Sequence, residues 1–299
     1  MQEINIKDKP LFDEYFSKNS AMLSTHSFAS IFIWKRIFKI FWQIIDGCLC
    51  VFARNGLGCF LIVPPLGKPT LKAIKEAFKV MDSFNKDNTV SRIENIQQDS
   101  IGFYKDLNLE LVDKDSEYLY TLTKLANLSG SSFKSKRSSY NFFIKHYQYS
   151  FERFNVAMAP ECLALYQRWM AERKAKYNDE IYNACLEDSE TAQELALKNF
   201  NQLQLGGWVV KVDNYIKGYS IGFALNKDTF CILFETVDLR LKGLSQFIFK
   251  ELCRNLNGFK FVNTGDDSGF MNLKQVKLSY KPVKLLRSFI AQRATTCRN

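Results

Sequence analysis

The chain shows the same order of hydrophobic and polar positions twice, and the clearer copy lies in its second half. Apolar residues occupy the odd positions from 219 to 225, and small or polar residues occupy the even ones. This period of two is typical of a strand with one buried face. Apolar runs at 208–212 and 230–237 predict strands on either side, the second buried on both faces, with turns at 213–214 and 226–228. Together these segments predict a meander of three strands.

A helix and a fourth strand follow the meander. Apolar residues recur at helical spacing from Leu244 to Leu256, and Asn257-Gly258 fits the end of that helix. A strand at 259–263 completes the copy. The turn that joins the third strand to the helix is basic, contains Gly243 and lacks proline.

The first half repeats this succession of strands, helix and further strand. Its predicted segments are strands at 37–45, 48–53 and 59–63, a helix at 71–81 and a strand at 89–94. Further helices predicted at 134–146, 161–177 and 189–203 belong to the start of the second copy or to the join between the copies. A repeated unit of this kind predicts an α/β (α+β) protein of two similar domains, 1–124 and 125–299. Each domain is expected to be a mostly antiparallel mixed sheet flanked by helices.

The two copies differ in the turn before the helix. In the first copy, prolines at 64, 65 and 69 remove backbone N–H donors. A phosphate-binding turn needs those donors, because it works through free amides and the positive end of the helix dipole. The second turn carries Arg240 and Lys242 beside Gly243. We therefore expect the second domain to hold the active site and the first to be degenerate.

Charge narrows the choice of partner. The 299 residues include 41 Lys and Arg against 31 Asp and Glu, a net charge of +10, which favours RNA, phosphorylated cofactors or an anionic membrane surface. Residues 270–299 hold seven Lys or Arg and no acidic residue, and basic residues between 134 and 153 are interleaved with aromatic ones. A helix with a solvated charged face gives the same pattern.

Several classes of protein and of site are disfavoured. The N-terminal residues contain no apolar core of a secretory signal, and no apolar run approaches the roughly 20 residues of a spanning helix. We expect a cytoplasmic protein without an integral membrane segment, at most peripheral to a membrane. The eight scattered cysteines and two histidines lack zinc-ligand spacing, so free thiols in a reducing compartment and no metal site are expected.

The meander, the Arg-x-x-Gly-x-small turn at 240–245 and the helix after it resemble the core of GNAT acyltransferases, in which the corresponding loop holds the pyrophosphate of acyl-coenzyme A. Longer stretches resemble one family more closely. They are Ser27-Phe28, Phe32-x-Trp34, 64–67, 117–120, 128–130, Lys136-Arg137, 141–143, Glu235, Asp238, Lys242-Gly243, Gln246, Asn263, Asp266-Asp267, Gly269, Leu273, 277–280 and Pro282. Over nearly the whole chain they resemble the C-terminal catalytic domain of phosphatidylglycerol lysyltransferases, including its short stand-alone members.

That resemblance implies a tandem GNAT-like fold and transfer of an aminoacyl group from a charged tRNA to the glycerol head group of an anionic lipid. It implies no required cofactor, and acyl-coenzyme A remains an alternative donor substrate. Fem-type peptidyltransferases are relatives that use the same class of donor. Ser138 stands where the family pattern has asparagine, and Lys274-Gln275 stands where it has Arg-Lys, which leaves lipid and lysine specificity open.

The first candidate site residues lie around the glycine turn, where amides and cations would contact phosphate. These are Arg240, Lys242, Gly243 and Ser245. The alternative is a basic turn that merely joins strand to helix. Glu235 and Asp238 lie at the end of the third strand, the edge at which open α/β sheets place ligands. Glu235 is a candidate general base; a carboxylate here could also bind the amino group of the donor or simply pair with a neighbouring cation.

A second group follows the next strand and is expected close to Glu235. Asn263, Asp266 and Asp267 fit a polar substrate pocket, with Asp267 as a catalytic candidate, or an ordinary Asp-rich turn. Tyr280 is a candidate proton donor to the leaving group. The remaining candidates, which would bind the anionic substrate, are Lys277, Lys136 and Arg137.

Three functions are consistent with these residues. The first is direct transfer of an aminoacyl group from aminoacyl-tRNA to a hydroxyl or amine, with a phosphatidylglycerol-like lipid as the first choice of acceptor and no covalent enzyme intermediate. The second is acyl transfer from acyl-coenzyme A to an amine. The third is a non-catalytic protein that binds RNA or an anionic membrane surface. The sequence leaves the oligomeric state open.

Overall fold

The structure is a computed structural model that describes residues 1–18, 21–177 and 179–294. The chain forms two compact units, each discontinuous in sequence. The first contains 1–117, 265–274 and the residues from Leu285 on, and the second contains 118–264 and 275–284. The domain boundary at 124/125 stays a prediction.

The secondary structure alternates between strands and helices along the chain. The strands are β1 (Gln2–Glu3), β2 (Lys39–Ile45), β3 (Cys48–Asn55), β4 (Gly58–Leu61), β5 (Arg92–Gln97), β6 (Leu109–Thr121), β7 (Tyr149–Arg153), β8 (Gly206–Val212), β9 (Tyr215–Ala224), β10 (Thr229–Val237), β11 (Phe261–Asn263) and β12 (Lys284–Arg293). The helices are α1 (Lys9–Ser17), α2 (Phe28–Phe32), α3 (Leu71–Phe84), α4 (Ile101–Asp106), α5 (Leu122–Asn127), α6 (Lys134–His146), α7 (Ala159–Lys176), α8 (Glu180–Lys198), α9 (Leu244–Asn255) and α10 (Met271–Ser279).

Each unit contains the predicted succession of elements. In the first, β2, β3 and β4 form an antiparallel meander, α3 follows, and β5 lies parallel to β4 in the sheet order β1-β2-β3-β4-β5-β12-β6. In the second, β8, β9 and β10 form the meander, α9 follows, and β11 lies parallel to β10 in the order β6-β11-β10-β9-β8-β7. The predicted α/β class with mostly antiparallel mixed sheets is confirmed.

The hairpin between β8 and β9 shows how the local sequence produces this meander. Asp213 and Asn214 both have positive φ angles, 53° and 65°. Two consecutive left-handed residues make the turn whose twist matches that of a strand pair, and Asp and Asn tolerate this conformation better than most side chains. The register places Val212 opposite Tyr215.

Several predicted boundaries differ from the structure by two or more residues, and two of these differences have a local cause. The helix predicted at 189–203 begins at Glu180, because the Asp179 side chain accepts the Tyr182 N–H and so caps a helix start that the periodicity does not show. The strand predicted at 89–94 begins at Arg92. Residues 88–90 form a 3-10 turn instead, in which the Asp87 carboxylate accepts the Thr89 N–H.

A third correction concerns the burial of β10. The strand was predicted to be buried on both faces, but it is only half-buried at 233–234, and Glu235 is exposed. The parallel ladder between β10 and β11 runs from Thr229 to Cys231 on the β10 side, and β11 ends at Asn263, whereas β10 continues to Val237. The register with β9 also shifts between Ile232 and Phe234. A bulge of this kind bends a strand, and the ladder between β10 and β11 ends at Cys231.

Helix α9 is held between two hydrophobic clusters of the second unit. Burying a large apolar side chain stabilises the fold by about 1.5–3 kcal/mol, so these contacts fix the position of the helix relative to β10. One cluster joins the helix to β6, α5 and Tyr280 and includes Phe249, Leu252, Cys253 and Leu256; the other joins it to α6 and β8 and includes Leu244, Phe247 and Ile248.

Two further observations apply to the residues that the structure describes. None of their helices combines the length and the apolar character needed to cross a membrane. No disulfide joins the seven cysteines among them, six of which are buried while Cys185 is exposed. Cys297 lies outside the described residues.

Candidate active site

Glu235 is an exposed carboxylate on β10, beyond the point at which the β10–β11 ladder ends. The residue is exposed to solvent. Protein atoms nevertheless surround its carboxyl group closely, and the resulting desolvation raises the pKa of Glu235 to about 8. A carboxyl group with such a pKa can exchange protons near neutral pH.

Tyr280 lies near Glu235 although it follows α10 in the chain. Its ring is buried and packs edge-on against Phe249 of α9, with the ring centroids 4.7 Å apart. Burial raises the pKa of the Tyr280 phenol, and the charges of Glu235 and Cys253 raise it further. The Gln246 side chain forms a hydrogen bond with Tyr280, and this hydrogen bond lowers the pKa of the phenol, against the effect of burial. The phenol therefore stays protonated and keeps a proton to donate.

Lys136 adds a positive charge to this pair. Its Nζ atom lies 4.3 Å from the centroid of the Tyr280 ring, a cation–π distance. The side chain belongs to α6 and is half-buried, and desolvation lowers the pKa of Lys136 below its ordinary value. Glu235, Tyr280 and Lys136, which were predicted from separate parts of the sequence, thus lie together.

Cys253 is a neighbour of this cluster that sequence reasoning missed. The thiol is buried on α9, and burial followed by the charge of Glu235 raises the pKa of Cys253. In the sequence, Cys253 follows Leu252 on the apolar stripe of the helix, where it has the appearance of an ordinary core residue. Gln246 was noted only as part of the family pattern. Nothing in the periodicity indicates that either side chain lies beside Tyr280.

Asp238 and Arg240 form an ion pair within the turn. The Arg240 Nε and Nη2 atoms donate to the two Asp238 oxygens at 2.8 and 2.7 Å, and the Arg240 amide donates to the same carboxylate at 3.1 Å. Lys217 lies 3.6 Å from the buried carboxylate. The hydrogen bonds from Arg240, together with the charges of Arg240 and Lys217, lower the pKa of Asp238 against the effect of desolvation. The ion pair stabilises the turn. The expected contact of Asp238 and Arg240 with substrate stays a prediction.

The turn presents backbone amides at the start of α9. The amides of Leu241, Leu244 and Phe247 donate to carbonyl oxygens of the turn. Within the described part of the chain, the amides of Lys242, Gly243, Ser245 and Gln246 have no intramolecular acceptor, and no side chain caps the helix. Such amides lie at the positive end of the dipole of a 12-residue helix.

Gly243 allows α6 and α9 to approach each other closely. Its φ angle is +87°, and a Cβ at this position would overlap the Ser139 carbonyl oxygen of α6. Lys242 is exposed, and its Nζ lies 4.6 Å from the centroid of the Phe142 ring on the same helix. The glycine therefore has a packing role whether or not an anion binds at the turn.

The other predicted residues occupy different surroundings. Asn263 is fully buried at the end of β11. Asp266 and Asp267 belong to the first compact unit and accept hydrogen bonds from the amides of Ser268 and Gly269, as in an Asp-rich turn. Their expected closeness to Glu235 stays a prediction.

Lys277 and Arg137 both donate to main-chain carbonyls. Lys277 Nζ donates to the Thr264 carbonyl at 2.6 Å. Arg137 Nη1 donates to the carbonyls of Leu128 and Gly130 and so holds the connection between α5 and α6. These contacts stabilise the second unit, and a role of either cation in binding substrate stays a prediction.

The corresponding junction of the first unit is bridged by its own side chains. There β4 and β5 pair in parallel at Leu61 and Ile93. Beyond this point the Asn95 Nδ2 atom of β5 donates to the Ile62 carbonyl at 2.7 Å, and His26 Nε2 lies 2.7 Å from the Asn95 carbonyl oxygen. Burial lowers the pKa of His26 to about 4, so the ring is neutral at pH 7.

A metal site is not indicated within residues 1–18, 21–177 and 179–294. No group of three or more His, Cys, Asp or Glu side chains there has an arrangement that could hold a metal ion.

Sequence comparison matches most of the chain to one family. The family described as phosphatidylglycerol lysyltransferase, C-terminal, matches residues 19–292. An uncharacterized protein of Mycoplasmoides gallisepticum is 25% identical over 195 residues, which cover 62% of this chain and 59% of that protein. The match therefore spans about three fifths of the length of this curated relative.

Solved structures share the fold. A conserved protein of unknown function from Bacteroides thetaiotaomicron VPI-5482 has a TM-score of 0.87 at 22% identity, over 97% of this chain and 98% of that one. L-PGS from Bacillus licheniformis has a TM-score of 0.68 at 15% identity, over 99% and 94%. A tandem GNAT protein from the clavulanic acid biosynthesis pathway has a TM-score of 0.50 at 8% identity, over 99% and 98%. At these identities the likeness concerns the fold, and the predicted tandem GNAT-like architecture is confirmed.

Proposed function

Because the chain belongs to the family of the C-terminal domain of phosphatidylglycerol lysyltransferases, as its sequence predicted, we propose that it transfers an aminoacyl group from aminoacyl-tRNA to a hydroxyl group of a phosphatidylglycerol-like lipid. The observation that carries this proposal is the convergence of Glu235, Tyr280 and Lys136 beside the end of the β10–β11 ladder. These three side chains supply a base, an acid and a positive charge.

Glu235 acts as the general base in the proposed reaction. The acceptor hydroxyl oxygen forms a bond to the acyl carbon while its proton passes to the ionised Glu235 carboxylate. The raised pKa of about 8 makes this carboxylate a stronger base than an ordinary glutamate, although a smaller fraction of it is ionised at pH 7. Its exposure to solvent lets an acceptor reach it.

Tyr280 donates the second proton. The bond between the acyl carbon and the ribose oxygen of the tRNA breaks, and the phenol protonates that oxygen as it leaves. Lys136, 4.3 Å from the ring centroid, stabilises the phenolate formed in this step. The proton held by Glu235 then returns to Tyr280, which restores both groups without a covalent enzyme intermediate.

The start of α9 is proposed to bind a phosphate of the donor. Four amides there lack an intramolecular acceptor among the described residues, and they lie at the positive end of the helix dipole. Lys242 is exposed beside them. In the first unit, by contrast, Asn95 and Ile62 bridge the corresponding junction, which supports the proposal that only the second unit carries transfer.

A transfer assay tests this function. Purified protein is incubated with tRNAs charged with a panel of radiolabelled amino acids and with vesicles that contain phosphatidylglycerol. We expect label to enter the lipid fraction, and Glu235→Gln to slow this transfer by about 10²-fold or more. Glu187→Gln is the matched control, since Glu187 pairs with Lys174 on the surface and should leave transfer intact. Absence of labelled lipid over the whole panel would contradict the proposal.

The same preparation distinguishes the alternative functions. A ligand that binds only the folded protein raises its melting temperature. Stabilisation by coenzyme A and not by tRNA would indicate an acyl-coenzyme A-dependent N-acyltransferase. If Arg240→Glu and Lys242→Glu weaken RNA or vesicle binding in a protein that transfers nothing with either donor, the non-catalytic function is the correct one.

A further inference from the structure

Ser220 lies directly opposite Glu235 in the antiparallel ladder between β9 and β10. The two side chains of such a cross-strand pair lie on the same face of the sheet, with Cβ atoms about 4.5–5.5 Å apart. On its other side, Ser220 is paired with Trp208 of β8. Ser220 is thus the neighbour that β9 provides for the proposed general base.

The bulge in β10 places this pair on the face of the sheet that carries α9. Ile232 belongs to the hydrophobic cluster that joins α9 to β6 and α5. Glu235 follows Ile232 by three residues, so in a regular strand the two side chains would point to opposite faces. The register shift between Ile232 and Phe234 adds one residue to β10 and returns Glu235 to the face of Ile232. Ser220 therefore lies on this face as well.

Neither side chain of the pair has a hydrogen-bond partner among the residues that the structure describes. Ser220 is fully buried, and its Oγ atom contacts no donor or acceptor there. Desolvation alone raises the pKa of Glu235, and no hydrogen bond opposes it. An unpaired buried hydroxyl is unfavourable, and alanine would occupy the same space without that penalty. A serine at this position is explained if its hydroxyl gains a partner when Glu235 ionises.

The neighbours of Ser220 in the sheet leave Glu235 as the acceptor for its hydroxyl. Gly218 and Gly222 flank Ser220 on the same face of β9 and have no side-chain polar atoms. The Trp208 indole can donate a hydrogen bond but cannot accept one through its nitrogen. Of these four neighbours, Glu235 is the one whose side chain accepts hydrogen bonds.

We propose that the Ser220 hydroxyl donates a hydrogen bond to the ionised Glu235 carboxylate, which makes Ser220 a positioning residue for the general base. A hydrogen bond to a charged acceptor is stronger than one to a neutral acceptor, so this contact favours the ionised form. It also fixes the direction of a carboxylate that otherwise lacks a partner. The hydrogen bond does not depend on the reaction, whereas its role in positioning rests on the proposed function.

Other titratable or charged groups lie on the elements that pack around β10. They are Cys253 of α9, Tyr280 with Lys136 of α6 against its ring, Lys217 of β9, which pairs with Asp238, and Cys162 and Tyr166 of α7, which act on Tyr219 on the opposite face of β9. Strand β11 contributes none. A substitution of Ser220 leaves all these groups in place, so a change in the pKa of Glu235 would report the lost hydroxyl.

The hydrogen bond can be measured without substrate. In protein labelled with ¹³C at the glutamate carboxyl groups, NMR follows the titration of Glu235, whose resonance is assigned by its absence from Glu235→Gln. We expect Ser220→Ala to raise the pKa of Glu235 by about one unit, a tenfold change in proton affinity, because the ionised form loses its donor. The variant removes one oxygen atom that has no partner in the structure and should fold normally.

Ser30→Ala is the matched control. The Ser30 Oγ atom is also buried and has no partner among the described residues, but it belongs to α2 of the first unit. Its removal should leave the titration of Glu235 unchanged. An unchanged pKa of Glu235 in Ser220→Ala, or equal shifts in the two variants, would overturn the inference.

The role of Ser220 in positioning is tested separately, by the transfer rate. The midpoint of the pH–rate profile of Ser220→Ala should rise by the same amount of about one unit, and Ser220→Ala should slow transfer no further when Glu235 is already glutamine. A shifted NMR titration with an unshifted rate profile would contradict the positioning role. If the wild-type protein transfers nothing, the proposed function is wrong, and the NMR titration still decides whether the hydrogen bond forms.

Discussion

The Lys136 ammonium nitrogen lies 4.3 Å from the centroid of the Tyr280 ring, and the charge of Glu235 contributes to the raised pKa of Tyr280. Helix α6 supplies the lysine, β10 supplies the glutamate, and the residues after α10 supply the tyrosine. The contact of α9 with all three regions holds them in place, since Phe249 of α9 packs on Tyr280 and Phe247 packs on Tyr140 of α6.

Replacing Lys136 by methionine should slow transfer without unfolding the protein. The variant keeps the length of the side chain over the Tyr280 ring but removes the charge that stabilises the phenolate, so we expect the single-turnover rate to fall about tenfold. The control is Lys250→Met, because the Lys250 ammonium lies 4.0 Å from the Tyr140 ring in a similar pair. Equal rate losses in the two variants would contradict a specific role for Lys136.

The transfer rate should rise with pH through about pH 8. The base must be ionised, and desolvation raises the pKa of Glu235 to about 8. A pH profile of the single-turnover rate should therefore show one ionisation near this value in the wild-type protein. A rate that is independent of pH between 6 and about 9 would contradict the assignment of Glu235 as base.

The raised pKa of Glu235 can also be tested by unfolding experiments that compare Glu235→Gln with the wild-type protein. Because the pKa of Glu235 is raised on folding, the folded state holds its proton more tightly than the unfolded state. This carboxyl group thus lowers the free energy of unfolding as the pH rises from about 4.5 to about 8 and has no further effect above that range. The stability of Glu235→Gln relative to wild type should increase over the same window.

Gly243→Ala should destabilise the protein more than Gly258→Ala. The two glycines have similar φ angles, +87° and +89°, but a Cβ at 243 overlaps the Ser139 carbonyl while a Cβ at 258 meets nothing within 4 Å. We expect a loss of about 1–2 kcal/mol for Gly258→Ala from backbone strain and a clearly larger loss for Gly243→Ala. Urea unfolding measures both, and equal losses would contradict the close approach of α6 and α9.

Arg240→Ala should destabilise the protein at neutral pH, because it leaves the buried Asp238 carboxylate with fewer charged donors. The pKa of Asp238 is lowered on folding, so this stabilisation is present above its ordinary value of 3.8 and is lost as the pH falls through the lower folded value. Arg254→Ala is the control, since Arg254 pairs with the partly buried Glu251, which still accepts a hydrogen bond from the Tyr140 hydroxyl, and should therefore cost less. A loss for Arg240→Ala that persists unchanged in strong acid would point to a cause other than the ion pair.

The sequence contains most of the local structure but only part of the site. Periodicity and turn residues located the two meanders and α6 and α9, because those signals depend on neighbours along the chain. The approach of Lys136 to Tyr280 depends on how α6 and α9 pack, which no short-range pattern encodes. The sequence predicts that the Arg240 side chain is a phosphate ligand. In the structure this side chain pairs with Asp238, two residues away, and the sequence alone does not distinguish the two roles.

The acidic residues after β11 show the same limit. Asp266 and Asp267 follow Asn263 closely in the chain, yet they belong to a different compact unit. The unexpected exposure of β10 at Glu235 depends on where β11 ends, and a strand as short as 261–263 gives little periodic signal. The residues that the prediction placed least reliably are therefore those whose neighbours come from distant segments.

The most direct measurement is a rapid-quench single-turnover experiment with excess enzyme, charged tRNA and phosphatidylglycerol vesicles. The account predicts that the wild-type protein moves the labelled aminoacyl group to lipid, and that Glu235→Gln and Tyr280→Phe each slow this step by about 10²-fold or more without changing the melting temperature greatly. Transfer at the wild-type rate by both variants would contradict the placement of the reaction at Glu235 and Tyr280.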